Sequence, residues 1–238
     1  MSILSEYFAE HLQELRGRVL KSFVAIGLAT AIAYYYSEAL VHFLMDPLFV
    51  ARPNLAQLVY TNLTEAFIAY LKVSLLFGIL FSFPVLCYQM WMFIAPGLHK
   101  KEKKTAIMVV FLGTGLFASG ACFAYFVVMP EALSFLMGAG DLDIEPLPKM
   151  DGYLSFVART ALAFGLAFEI PFLMTAAAKT GIVDPTVFIR QRMYYYIAIL
   201  VTAFLLTAGD VFSAVLVTFP LIGLYEAGIL VTRVFSSS

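Results

Sequence analysis

His99-Lys100-Lys101-Glu102-Lys103-Lys104 places four lysines in six residues, between two long apolar runs. Lysine ammonium groups enter hydrocarbon only at high cost, so this stretch stays on one side of a membrane and fixes the topology to either side of it. Glu102 stands alone among the positive charges. A loop built only to anchor needs no such acid.

The composition agrees with a chain that lies almost wholly in a bilayer. Of 238 residues, 62% are hydrophobic and 13% charged, against roughly 25% charged in a soluble domain. A net charge of -1 provides no basic field for nucleic acid. Cys87 and Cys122 both fall inside apolar runs and read as packing residues. The first apolar run lacks a small-residue cleavage site and is followed by further spans, so it reads as a retained helix, not a signal peptide.

Residues 1–18 form an amphipathic cytoplasmic segment. Leu4, Phe8, Leu12, Leu15 and Val19 make one helical stripe, while Glu6, Glu10 and Glu14 lie in register on another face that Arg18 continues. The segment is expected to lie along the interface and then turn into the first span. Six spans come next, near residues 19–38, 66–90, 105–128, 152–178, 193–209 and 211–232, in one membrane domain. In the first outer segment, SEALVHFLM is expected to form a short helix ending before Pro47. Pro84 is expected to bend the second span, and Pro130 to stop the third. Gly115 and Ser119 make a small-xxx-small pair that points to a close helix contact. The fifth span is at the lower limit of length for a crossing, and little more than Gly209-Asp210 joins it to the sixth.

Charge sorts cleanly across these spans. Arg16, Arg18, Lys21, Lys100, Lys101, Lys103, Lys104, Lys179, Arg190, Arg192 and Arg233 lie on the expected inside; Arg52, Lys72, Lys149 and Arg159 lie outside or in outer halves of spans. That asymmetry predicts both termini in the cytoplasm.

Several acids need explaining. Glu169 falls near mid-membrane, roughly 13 Å by helix rise from the inner end of its span. An ionised carboxylate there costs several kcal/mol unless it meets polar groups or water, or takes up a proton. Pro171 frees the carbonyl of Ala167, so the helix is expected to kink where the acid sits. Glu169 reads either as a structural acid bonded within the bundle or as a polar site open to a partner. Glu226, near the inner interface, is the less costly acid. Asp210 is placed to cap the last span. Glu14 and Glu102 are both cytoplasmic and both beside basic residues. They read either as local charge balance or as a pair of carboxylates for a ligand bearing guanidinium groups, because arginine pairs bidentately with carboxylates. No Gly-rich nucleotide loop, metal-binding His pattern or nucleophile motif is present, so no catalytic residue, metal or cofactor is expected.

At these acids the sequence resembles the TatC family, the large subunit of the twin-arginine (Sec-independent) protein translocase. The resemblance rests on HLQELRGR at 11–18, FLMDPL at 43–48, TNLTEAFIAYLK at 61–72, FPVLCYQMWMFIAPGLHKKEK at 83–103 and FGLAFEIPF at 164–172. It implies an all-α integral membrane protein with six transmembrane helices in a concave, glove-like bundle whose fifth and sixth helices are short. It implies a receptor and core subunit, in the bacterial cytoplasmic (inner) membrane, that recognises twin-arginine signal peptides and exports folded proteins using the proton-motive force. The implied partners are small single-span subunits of TatA/TatB type, twin-arginine signal peptides of folded cargo, membrane lipid and further copies of the chain. Glu14, Arg16 and Glu102 match signal-peptide-binding positions, and Glu169 matches an intramembrane polar site. Thr207 matches a polar partner-docking position of the fifth span, and Pro47, Pro84, Phe93, Pro96 and Asp210 fall in structural or partner-facing motifs. The family's usual Thr-Pro-Pro-Asp turn is TAGD here, at 207–210. A proton-coupled secondary transporter and a membrane scaffold without signal-peptide specificity are the alternative readings; the first is weakened by the lack of a visible internal repeat.

Overall fold

The structure, a computed structural model, describes residues 2–51, 58, 59, 62–94, 103–138, 148–179, 181, 183–207 and 211–236. Its architecture is all-α and multi-spanning. In chain order the helices are α1 (Ser2–Tyr35), α2 (Ser37–Ala51), α3 (Leu63–Ile94), α4 (Lys103–Phe123), α5 (Met129–Gly138), α6 (Met150–Phe168), α7 (Ile170–Lys179), α8 (Pro185–Arg190), α9 (Arg192–Leu206) and α10 (Val211–Ser236). Among the described residues, four helical stretches are long and apolar enough to cross a membrane: Leu12–Tyr35, Thr64–Phe93, Ile107–Phe135 and Met150–Ala178. Large apolar side chains such as Leu20, Phe23, Phe111, Phe126 and Phe219 stand exposed, as a lipid-facing surface requires.

The chain divides into two compact units, residues 1–40 with 70–115 and residues 41–69 with 116–238. In the first, α1 runs unbroken for 34 residues, about 51 Å at the helical rise. The expected turn near residue 18 is absent. Arg18 reaches back to the Glu14 carboxylate one turn earlier, and the Ser22 hydroxyl donates to the Arg18 carbonyl at 3.1 Å, so side-chain bonds bridge the junction. A Cβ on Gly78 of α3 would strike the backbone and hydroxyl of Thr30; the missing side chain lets α1 and α3 approach closely. Pro84 lies within α3, whose helix is continuous to Ile94.

The second unit begins with a correction to the reading of Pro47. α2 passes through Pro47 to Ala51. Proline has no N–H for the carbonyl four residues back, which here belongs to Phe43. The Tyr125 hydroxyl supplies that hydrogen bond at 2.5 Å, and the Tyr153 hydroxyl donates to the neighbouring Leu44 carbonyl at 2.6 Å. The rings of Tyr125 and Phe43 stack with centroids 4.6 Å apart. The Tyr125 hydroxyl thus replaces the one helical donor that Pro47 removes, and the Tyr153 hydroxyl bonds the next carbonyl along.

Pro130 is corrected in the same way: the third span does not stop there. A π-helical turn, Ala124–Val128, inserts one extra residue before α5, and Met129 N–H bonds back to the Ala124 carbonyl. The wider turn makes room for the proline ring. It also carries Tyr125, whose hydroxyl closes the Phe43 carbonyl. Tyr153→Phe and Tyr125→Phe each remove one hydrogen bond and are each expected to cost about 0.5–1.5 kcal/mol, read as a lowered unfolding midpoint in detergent. Pro47→Ala restores a backbone donor for Phe43, so it should shrink the cost of Tyr125→Phe and leave that of Tyr153→Phe unchanged.

The close helix contact expected at Gly115 and Ser119 lies elsewhere. Both residues are exposed, and a Cβ on Gly115 would meet nothing. The contact is at Gly120, where a Cβ would strike the Phe164 carbonyl and the Phe168 ring; one turn away, Gly165 receives the Phe117 ring in the same manner. α4 and α6 therefore interlock reciprocally, glycine against phenylalanine on each side.

α10 packs on α7 and α9 over a core that includes Phe164, Met174, Ile199, Ala203, Val217, Leu221 and Ile229. α9 has 15 residues, about 22 Å, short of a hydrocarbon core of about 30 Å. The apolar stretch of α10 reaches from Val211 to Tyr225 before Glu226 interrupts it. An isolated bridge pairs Val59 with Lys149 and joins the segments that precede α3 and α6.

Candidate functional site

On α1, Glu14 is held by a guanidinium from its own helix. Arg18 Nε lies 3.1 Å from Glu14 Oε1, and Arg18 Nη2 bonds the same oxygen. The Glu14 side chain is 38% exposed and that of Arg18 18%, so the acid is the more accessible partner. An i,i+4 pair of this kind contributes about 0.3–0.5 kcal/mol, little enough for a better-placed guanidinium to displace it. Arg16 is exposed on the same turn. Beside the pair, α1 and α3 leave an apolar groove of about 160 Å³, walled by Val19, Phe23 and Ile26 on one side and Met90 and Phe93 on the other, with Arg18 on its rim.

In the second unit, Glu169 sits at the break between α6 and α7. Its N–H bonds the Leu166 carbonyl at 3.1 Å, and its own carbonyl accepts from Leu173 N–H at 2.9 Å. Pro171 cannot donate to Ala167, and the α-helical ladder is interrupted at Glu169 as its position predicts. The residue is 7% exposed. The Phe117 backbone lies within reach of its carboxyl group, while Oε1 has no hydrogen-bond partner among the described residues. A buried acid left partly unbonded is a costly arrangement.

Glu226 is differently placed. Arg192 Nη2 donates to Oε2 at 3.1 Å and the Tyr196 hydroxyl to Oε1 at 2.5 Å. Tyr195 stacks on Tyr225 at 5.1 Å, and the Tyr225 hydroxyl closes on the Phe188 carbonyl at 2.6 Å. The Arg192–Glu226 pair spans α9 and α10 at the end away from Leu206 and Val211, and it marks where their apolar stretch ends. Arg192 and Tyr196 did not stand out as partners in the sequence, because 34 and 30 residues separate them from Glu226. In the loop before α8, Asp184 accepts from Thr186 N–H and Oγ1 at 2.8 and 2.7 Å; these bonds hold its carboxyl below the ordinary carboxylate range.

The remaining candidates from the sequence are spread over both units. Pro47 is buried, Pro84 and Phe93 are half-buried, and Phe93 lines the groove. Thr207 is buried at the end of α9, where its hydroxyl donates to the Ala203 carbonyl at 3.0 Å. Glu102, Pro96 and Asp210 lie outside the described residues.

A family model, "Sec-independent protein translocase protein (TatC)", matches residues 10–220. The chain belongs to the TatC family. It is 40% identical over 228 residues to the TatC protein of Desulforapulum autotrophicum, covering 96% of this chain and 84% of that one. It is 32% identical over 225 residues to that of Escherichia coli K12, covering 94% and 87%. A crystal structure of a twin-arginine translocase receptor, TatC, superposes with a TM-score of 0.87 at 35% identity, covering 95% of this chain and 99% of that one. This TatC family member is a multi-pass inner-membrane protein, the receptor and core subunit of the translocase that exports folded proteins with the proton-motive force. Members of the family work with TatA/TatB-type subunits and twin-arginine signals.

Proposed function

We propose that this chain binds the arginine pair of a signal peptide through Glu14 and Glu102, with Arg16 beside them, on the cytoplasmic side of a membrane in which both termini face the cytoplasm. The observation that carries the reading is that Glu14 already binds a guanidinium, through Arg18 Nε and Nη2, while remaining the more exposed of the two. An incoming arginine exchanges with Arg18, so the carboxylate is never left bare. The apolar part of the signal then lies against the helices, and Glu169 offers a polar contact deeper in the membrane. Small single-span subunits dock on the short α9, and further copies of the chain and of those subunits assemble around folded cargo, which is too wide for one chain to enclose.

The test is binding of a di-arginine signal peptide to the purified protein in nanodiscs. Charge-assisted hydrogen bonds are worth about 1.5–3 kcal/mol each, so Glu14→Gln, Glu102→Gln and a di-lysine peptide should each weaken binding roughly ten- to a hundredfold. Equal binding by all three would leave a scaffold whose specificity lies in its partners.

A further inference from the structure

We propose that Arg192, Tyr196 and Glu226 form a latch that fixes the rotation of α9 about its own axis, and so act as positioning residues for the small single-span subunits that dock on that helix. The inference rests on the docking reading given above. α9 meets the rest of its unit along one seam, which runs from Arg192 through Tyr196, Ile199 and Ala203 to Thr207 at its end. Those residues recur at three- and four-residue spacing, one stripe of a helix. Tyr195 flanks the stripe; the other described side chains of α9 stand exposed, Ile197, Leu200, Val201 and Phe204 among them.

The apolar part of this seam does not by itself fix how the helix is turned. Lipid tails are as apolar as Ile199, so its burial brings little driving force, and helices in a bilayer pair through close packing and interhelical hydrogen bonds. Ala203 allows close approach, but a methyl group does little to set a rotation. The directional bonds lie at the other end. Arg192 Nη2 donates to Glu226 Oε2 at 3.1 Å, and the Tyr196 hydroxyl donates to Oε1 at 2.5 Å. The two donors stand one turn apart on one face of α9 and grip both oxygens of a single carboxylate, so rolling α9 either way stretches both bonds. α10 anchors that carboxylate through its neighbour. Tyr225 stacks on Tyr195 at 5.1 Å, meets the Tyr196 ring edge-on at 5.9 Å and donates to the Phe188 carbonyl of α8 at 2.6 Å. Two adjacent residues of α10 thus hold both α8 and the start of α9. The Arg192 and Glu226 side chains are 40% and 34% exposed, and a pair so open to its surroundings adds little to global stability. What it supplies is orientation, which decides the α9 residues that face a docking helix.

The experiment uses the full-length protein in nanodiscs, with Cys87→Ala and Cys122→Ala, and spin labels on cysteines at Val201 and Leu230. Both positions are more than half exposed, at 51% and 61%, so labels are accommodated. Pulsed electron resonance gives the α9–α10 distance distribution with no partner present. Affinity for a fluorescent TatB-type subunit is measured on the unlabelled protein. Glu226→Ala, Tyr196→Phe and the exchange of Arg192→Glu with Glu226→Arg are compared with the wild type, and Leu200→Trp tests the exposed face directly. The wild type should give one narrow distance population. Glu226→Ala should broaden it; with the competent pose held about a fifth of the time, subunit affinity falls about fivefold. Tyr196→Phe should act the same way more mildly, and the exchange should restore both readouts. A distribution that stays narrow in Glu226→Ala overturns the proposal, even where the unfolding midpoint falls, since the acid is then only structural. So does a broadened distribution with unchanged affinity, when Leu200→Trp does weaken docking. A broadened distribution with affinity unchanged by Leu200→Trp as well would support the latch's hold on α9 and overturn the reading of α9 as the docking helix.

Discussion

Glu169→Leu should stop export and stabilise the protein. The residue is 7% exposed, and its Oε1 lacks a hydrogen-bond partner among the described residues. Leaving a buried polar atom unbonded costs about 1–3 kcal/mol, more for a charged group, and apolar replacements of buried ionic groups often stabilise by about 1–4 kcal/mol. Leucine is close to glutamate in size and fills the same space at the α6–α7 break. The unfolding midpoint of the purified variant should therefore rise. Export of a folded reporter, in cells whose own copy is deleted, should fall by at least about tenfold on the reading proposed above, in which the acid contacts the signal during transport. That pair of results would be a trade of stability for activity at Glu169. A variant that exports normally and melts lower would show Glu169 to be a structural acid.

Gly120→Val should have the largest effect on folding. A Cβ at this position would overlap the Phe164 carbonyl, a backbone atom, as well as the Phe168 ring, so rotamer changes alone do not relieve it. Overpacking a close contact costs about 1–3 kcal/mol and occasionally more; with backbone as the obstacle, about 3 kcal/mol is expected. α4 and α6 would have to separate, and Phe117 would leave its seat on Gly165. The Phe117 backbone also lies beside the Glu169 carboxyl group, so the damage reaches the buried acid. Gly115→Val is the control. Nothing lies within reach of its Cβ, and the exposed valine should change the unfolding midpoint little. Equal loss in both variants would mean that helix propensity, not the α4–α6 contact, sets the cost.

Local chemistry was readable in the sequence wherever one helix sufficed to decide the outcome. A kink at Glu169 follows from Pro171 alone, where the structure interrupts the helix, and the Glu14–Arg18 bond follows from their spacing. Where a distant residue decides, the same rules misled. Pro47 and Pro130 carry ordinary helix-stopping signals, but Tyr125 replaces the donor lost at Pro47 from 82 residues away, and a π-helical turn makes room for the second proline. Gly115 and Ser119 had the right spacing for a helix contact; spacing does not say which face meets a neighbour, and Gly120 holds the contact. Glu226 is satisfied by Arg192 and Tyr196 across the hairpin, a pairing that only the fold brings together. The groove beside Glu14 was invisible for the same reason, since its two walls are more than 60 residues apart in sequence.

The central claim is that Glu14 binds a signal-peptide arginine directly, and a double-mutant cycle measures that contact. Glu14→Gln in the protein is combined with Arg→Gln at each arginine of the peptide in turn, and all affinities are measured in nanodiscs at one salt concentration. Direct pairing predicts a coupling of about 1.5–3 kcal/mol with one of the two arginines: its removal should matter far less once Glu14 is gone. Penalties that add to within about 0.5 kcal/mol for both arginines would contradict the account and place the recognition elsewhere on the chain.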